Sequence, residues 1–120
     1  EPEVTINISR KSETEEILKK NLVICLNKLN SKQNVLLKLT LPEKNNFYKD
    51  LVNHPNVLRV VALSGGYSLE EANKRLEENF GLIASFSRAL TQSLFVHQST
   101  SDFNLALEQT ILSIAAASET

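Results

Sequence analysis

The chain reads as an α/β domain built on a parallel sheet, and three observations predict this. Helical and strand-like patterns alternate along its 120 residues, in the order helix, strand, helix, strand, helix, strand, helix. The connections between them are short, which for parallel strands implies right-handed crossovers with helices packed outside the sheet. The clearest strand, Val57 to Leu63, is β-branched and nearly continuous in apolar character, as expected of a strand covered on both faces.

Taken in order, Ser12-Glu13-Thr14-Glu15 has the form of a capping box, a serine N-cap with a glutamate three residues on. Ile17, Leu18, Leu22, Cys25, Leu26 and Leu29 then recur at helical spacing as far as about Asn30. The apolar run Val35 to Leu41, stopped by Pro42, has the length and the bounding breaker of a strand. Phe47 to His54 can form a short helix, ended by His54-Pro55-Asn56. After the Val57 to Leu63 strand, Ser64-Gly65-Gly66-Tyr67 breaks the pattern, and Ser68-Leu69-Glu70-Glu71 forms a second capping box. That helix runs to about Asn79, with Gly81 as its left-handed terminator. Leu82 to Ser85 is a short strand, and Ser87 is expected to open a helix carrying Arg88. Ser101 or a neighbour should cap a last helix whose Phe103, Leu107, Ile111 and Ile114 form a core-facing stripe.

With 42% hydrophobic and 22% charged residues, the composition is that of a globular domain rather than a disordered segment. A net charge of -1, with acids and bases interspersed, argues against nucleic acid or an anionic membrane as the main partner. No apolar run reaches membrane-spanning length and no secretory signal opens the chain, so a cytoplasmic setting is expected. The lone Cys25 falls in register with Leu18, Leu22 and Leu29 and reads as a small buried apolar residue. His54 and His97 are isolated and receive no role, no metal-spaced cluster appears, and no cofactor is expected. The absence of methionine and the start at Glu1-Pro2-Glu3 suggest a trimmed or partial chain.

The chemistry centres on Lys38, set inside the apolar run Val35-Leu36-Leu37-Lys38-Leu39-Thr40. Desolvation disfavours an ammonium and frees the amine to attack a carbonyl, which makes Lys38 a candidate Schiff-base nucleophile. Taken alone the signal is weak, and a strand lysine whose ammonium snorkels to the sheet end is the commoner reading. Two further features lie at neighbouring strand ends. Ser64-Gly65-Gly66 links a strand to a helix, and its glycines let the backbone approach a ligand and offer N–H groups to an anion. The bland alternative is an ordinary tight turn. Arg88, after the next strand and at the expected start of a helix, could add its guanidinium to that anion site, or simply face solvent. A phosphate site formed by successive strand–helix loops beside an amine suggests imine chemistry on a phosphorylated ketone or aldehyde.

Four motifs then carry a resemblance: Glu1-Pro2-Glu3-Val4, Leu36-Leu37-Lys38, Leu63-Ser64-Gly65-Gly66 and Ser85-Phe86-Ser87-Arg88-Ala89-Leu90. Their order and spacing resemble those of class I fructose-bisphosphate aldolases along essentially the whole chain. Leu37-Lys38-Leu39-Thr40, His54-Pro55-Asn56-Val57 and Val61 to Ser68 place the likeness in the bacterial branch. The resemblance implies the C-terminal half of a TIM (β/α)₈ barrel, a single incomplete domain over residues 1–120 with parallel strands six to eight and their helices. It implies that Lys38 forms the Schiff base, that Glu1 shuttles protons during imine formation, and that Glu3 joins the polar cluster around the lysine. It also implies that Ser64, Gly65, Gly66, Ser85 and Arg88 bind the ketone-side phosphate of a sugar-phosphate substrate.

The departures are equally definite. The first-strand aspartate implicated in carbon–carbon cleavage, and the early lysines and arginine that hold the second phosphate, have no counterpart here. Phe86-Ser87 stands where animal members have tyrosine-glycine, and the chain ends Ser118-Glu119-Thr120 without the animal C-terminal tyrosine. The expectation is therefore a lyase of glycolysis and gluconeogenesis whose half-barrel alone is inactive. It would need an N-terminal half-barrel or self-association, and would form a homo-oligomer of marginal stability. The alternative from a different class is a non-catalytic, self-associating half-barrel that at most binds phosphate. A transaldolase-like or deoxyribose-phosphate-type aldolase is a third reading, against which the Glu-Pro-Glu and Ser-Gly-Gly-Tyr motifs speak.

Overall fold

A computed structural model describes residues 1–120. The elements are α1 (Lys11–Leu26), β1 (Val35–Thr40), α2 (Lys49–Val52), β2 (Val57–Leu63), α3 (Leu69–Glu77), β3 (Leu82–Ala84) and α4 (Thr100–Ala117). The strands form one parallel sheet in the order β1-β2-β3. The α/β class and the sheet direction agree with the sequence reading.

Strand alternation divides the sheet into two unlike faces. One carries Leu37 and Leu39 of β1, Val60 and Ala62 of β2, and Leu82 of β3, all buried against Leu26, Leu51, Ala72, Leu76 and Ala117 from the helical layer. The other carries Leu36, Lys38 and Thr40, paired across the ladder with Arg59, Val61 and Leu63. Only its C-terminal end is covered. There the N-terminal segment lies against the strand ends, Val4 is buried, and its N–H donates to Thr40 Oγ1 at 3.0 Å. At the other end Leu36 is 68% exposed. The radius of gyration, 15.9 Å, is correspondingly large, since a compact domain of this length has about 13.6 Å.

The outer edge of β3 is not bare. Ser85 N–H donates back to Ala62 O at 2.7 Å, so the alternate amides of Leu82 and Ala84 point outward. Leu82 N–H donates to Asn79 O at 3.2 Å, and Ala84 N–H donates to Ser118 Oγ at 3.1 Å, from the end of α4.

Several local expectations are corrected. The helix α1 starts one residue before Ser12 with Arg10 as an N-cap that makes no side-chain bond, so the first capping box does not form. Its early start brings Lys11 and Glu15 onto the buried face. Beyond Leu26 it relaxes into three-residue turns, Lys28 N–H to Cys25 O and Leu29 N–H to Leu26 O, instead of continuing to Asn30. Cys25 is exposed, because it sits at the rim of the stripe that Leu22 and Leu26 define. The second forms as a serine N-cap: Ser68 Oγ accepts from Glu71 N–H at 3.3 Å, while the Glu71 carboxylate pairs with Arg75 at 2.7 Å in place of the reciprocal bond. Gly81 has φ +78° but lies beyond the C-cap Glu78; a Cβ there would come within 2.7 Å of Val52 Cγ1, so the position serves a close approach. No helix opens at Ser87. The segment is a run of turns in which both the N–H and the hydroxyl of Thr91 bond to Ser87 O, each at 3.2 Å, and propagation stops. In α4, capped by Ser99, Phe103 and Ile111 are exposed: the surface against which that stripe would pack is not supplied by these residues.

Candidate active site

The parallel sheet delivers three strand ends to one edge, and the residues singled out in the sequence meet there. A polar cavity of about 440 Å³ is lined by Glu1, Glu3, Lys38, Leu63, Ser64, Gly65, Ser85, Ser87 and Arg88. Seven of the eight expected site residues are among them. Gly66 is the exception, and it lines an adjoining cavity of about 390 Å³ that Arg88 also borders.

Lys38 stands on the less covered sheet face, in register with Val61, which in turn pairs with Ile83. Apolar neighbours thus flank its stem, while its Nζ lies 2.7 Å from Glu1 Oε1. The side chain is 34% exposed and that of Glu1 56%, so the amine is accessible and not sealed. The hydrogen bond from Lys38 is the largest influence and holds the Glu1 carboxyl below its ordinary range; desolvation opposes it, and the Lys38 charge adds a lesser lowering. An ionised carboxylate within hydrogen-bond reach of an amine is competent to take and return its proton.

Ser64 to Tyr67 is a tight turn closed by Tyr67 N–H to Ser64 O at 3.0 Å. Gly65 and Gly66 have φ of +64° and +105°, positive at both central positions as a type I′ turn requires. A Cβ on Gly65 would meet Thr40 Cγ2 at 2.6 Å and Ile6 Cγ2 at 3.2 Å. The turn is therefore pressed against the end of β1 and the N-terminal segment. Across the cavity, Arg88 Nη2 reaches Glu3 Oε1 at 3.4 Å, a long contact between exposed groups. Arg88 arrives by the turns after β3 and not at a helix start, so the helix N-terminus expected beside it does not add to this anion site.

Sequence reasoning gave Ser87 no role of its own, although it faces both this cavity and a larger apolar groove. That groove, about 610 Å³, also includes Lys38, Ile83, Phe86, Leu90, Ile111 and Ile114. The signal was present in Phe86-Ser87, where the motif departs from its animal form. Thr40 stood out in the sequence only as a polar residue at a strand end; its hydroxyl anchors Val4 and its methyl meets the glycine turn. His54 bonds Asn27 and Asn56 at the opposite end of β2, and His97 stacks on Phe95; neither lines the cavity. No group of His, Cys, Asp and Glu side chains is arranged to hold a metal ion, and no helix is long and apolar enough to cross a membrane.

No protein-family profile matches the chain. Over all 120 residues it is 53% identical to a protein of Synechocystis sp. named fructose-bisphosphate aldolase class 1. Over 118 residues, 98% of the chain, it is 51% identical to a protein of the same name from Porphyromonas gingivalis. The chain spans 40% of the length of each of these curated relatives. The resemblance carried by the four motifs therefore holds along the whole sequence, and with bacterial proteins of that name.

Proposed function

We propose that these residues supply the Schiff-base and ketone-phosphate part of a class I fructose-bisphosphate aldolase. The reaction is the reversible cleavage of fructose 1,6-bisphosphate to dihydroxyacetone phosphate and glyceraldehyde 3-phosphate in the cytoplasm. The observation that carries the reading is the Lys38–Glu1 pair, 2.7 Å apart, opening into the same cavity as Ser64, Gly65, Ser85 and Arg88.

Glu1 takes a proton from the Lys38 ammonium, and the freed amine attacks the ketone carbon to give a carbinolamine. Protonation of its hydroxyl through Glu1 expels water and leaves the iminium. That iminium is the electron sink when the bond between the third and fourth carbons breaks. Glu3 orients Arg88. The Ser64-Gly65-Gly66 turn, Ser85 and Arg88 hold the phosphate, turning binding energy remote from the reacting carbon into orientation. The base for the fourth hydroxyl is, by the family resemblance, an aspartate of the first barrel strand, outside these 120 residues. On this reading β1, β2 and β3 are strands six to eight of a (β/α)₈ barrel, one incomplete domain. It needs an N-terminal half-barrel or a second copy against its open face, and is inactive in cleavage without one.

A second reading, a non-catalytic half-barrel that self-associates and at most binds phosphate, is favoured by the bare face around Leu36. Incubation with dihydroxyacetone phosphate, borohydride reduction and intact-mass spectrometry separates the two. A single ketose-phosphate adduct mapping to Lys38 is expected. Its absence would sink the Schiff-base reading and leave the second.

A further inference from the structure

The cavity accounts for the open side of β1, but the most deeply buried charges in the molecule lie beyond its end. Lys11 and Glu15, one turn apart on α1, have side chains only 1% and 2% exposed and are ion-paired with each other. Burying such a pair is costly, and apolar residues of similar volume would often pack at least as well. These two charges also make bonds that apolar residues could not. Lys11 Nζ donates to Leu41 O at 2.9 Å, and Glu15 Oε2 accepts from Glu43 N–H at 3.2 Å. Between them, Pro42 O accepts from Arg75 Nη1 of α3 at 3.4 Å. Three consecutive residues, directly after the strand that carries Lys38, are thus gripped by charged side chains from two helices.

Arg75 extends the grip to the phosphate side. Its guanidinium lies over the Tyr67 ring, 4.4 Å from the centroid, and Tyr67 closes the glycine turn. Glu71 Oε1 sits 2.7 Å from Arg75 Nε, an ion pair by proximity, since the N–H is not aligned for a hydrogen bond. On the other side of the strand end, Thr40 presses on Gly65. The exit of β1 and the glycine turn are therefore fixed to each other from both sides.

We propose that Lys11, Glu15 and Arg75 are positioning residues that set the distance between the Lys38 amine and the phosphate cradle, a proposal that rests on the Schiff-base reading above. They touch no substrate and act only through the Leu41–Glu43 segment and Tyr67. The consequence is specific. Loosening the grip removes the advantage that a phosphate confers on imine formation, and leaves intrinsic amine reactivity in place.

The test compares borohydride-trapping rates at Lys38 with dihydroxyacetone phosphate and with dihydroxyacetone, in the parent chain, in Lys11→Met/Glu15→Leu, and in Arg75→Met. The expected result is a roughly tenfold fall in the phosphate-to-neutral rate ratio for the double variant and about threefold for Arg75→Met. Trapping of dihydroxyacetone itself should be unchanged per folded molecule. A purely structural role lowers both rates together, and an unchanged ratio overturns the proposal. If the double variant fails to fold, Arg75→Met decides the matter by the same ratio. Amide NMR spectra of the variants give a readout that needs no imine. Concerted shifts at Lys38, Thr40, Gly65 and Gly66, with β3 unmoved, support the proposal, and parent-like positions overturn it. Absence of trapping in the parent chain would sink the Schiff-base reading alone.

Discussion

Two lysine–glutamate pairs flank the end of β1, and their differences separate chemistry from construction. Lys38 and Glu1 meet at 2.7 Å on the open sheet face, both partly solvated, at the wall of a cavity. Lys11 and Glu15 meet on the other side of the strand end, sealed from water, with their remaining valences spent on backbone groups of Leu41 and Glu43. An exposed pair is worth little to stability, but its proton can be exchanged with a ligand. A sealed pair has no route to a ligand, and its loss is felt by the fold. Identical residue types thus have opposite uses, decided by whether water and substrate can reach them.

That contrast can be broken at either pair. The largest effect expected is from Lys38→Met, which should abolish the ketose-phosphate adduct in the mass spectrum while leaving the unfolding midpoint in urea nearly unmoved. Lys11→Ala should act first on the fold, leaving the Lys38 amine itself in place. It strands Glu15 as a buried, uncompensated carboxylate and should cost about 3–5 kcal/mol in equilibrium unfolding, a result also checked by circular dichroism. Glu1→Gln removes the proton acceptor beside the amine and should slow trapping at Lys38 by roughly 10²-fold, with only a small loss of stability. Gly65→Ala tests the contact that joins the two sides. With φ at +64° and a Cβ 2.6 Å from Thr40 Cγ2, it should cost about 1–3 kcal/mol in urea unfolding.

The smallest effect is a dependence on pH. The Glu1 carboxyl is held below its ordinary 4.5, mainly by the Lys38 hydrogen bond. The unfolded chain therefore binds the proton more readily, and the pair's contribution is fully present above that ordinary value and lost as pH falls through the lowered one. Asp50, hydrogen-bonded to Lys19, and Glu16, hydrogen-bonded to Lys44, shift the same way. Subtracting the unfolding free energy of Glu1→Gln from that of the parent, pH by pH, should leave a small positive difference at neutral pH that disappears as pH falls through the acid range. A difference that grows towards acid would contradict the assignment.

Much of this could be read from the residues. Val57–Leu63 was legible to the residue because a β-branched run is bounded by Asn56 and Ser64, and Ser68 because it stands three residues before Glu71 and directly after a glycine turn, a break that Ser12 lacks. The cavity was legible because its parts are local motifs at strand ends, and parallel topology gathers strand ends at one edge. Lys11 and Glu15 were not, since a charged pair one helical turn apart normally marks a solvated surface. The Leu41 carbonyl and Glu43 amide that draw the pair inward belong to a distant loop. Arg88 was placed near its target but on the wrong support, because the segment after β3 folds as successive turns, which short-range spacing does not distinguish from a helix start. The exposure of Phe103 and Ile111 follows from what lies opposite them, which no local pattern in their own helix encodes.

The hydroxyl of Ser118 has a consequence of another kind. By accepting from Ala84 N–H at 3.1 Å, while Asn79 O takes Leu82 N–H at 3.2 Å, the chain uses up both outward donors of β3. A strand with no donors to offer is a poor template for indefinite lateral growth. A molecule with a broad bare face would otherwise be at risk of polymerising along that border. The serine acts as a stopper in the seam: a row of strands that never ends finds no donors there, and any strand that pairs with β3 must first displace the Ser118 hydroxyl.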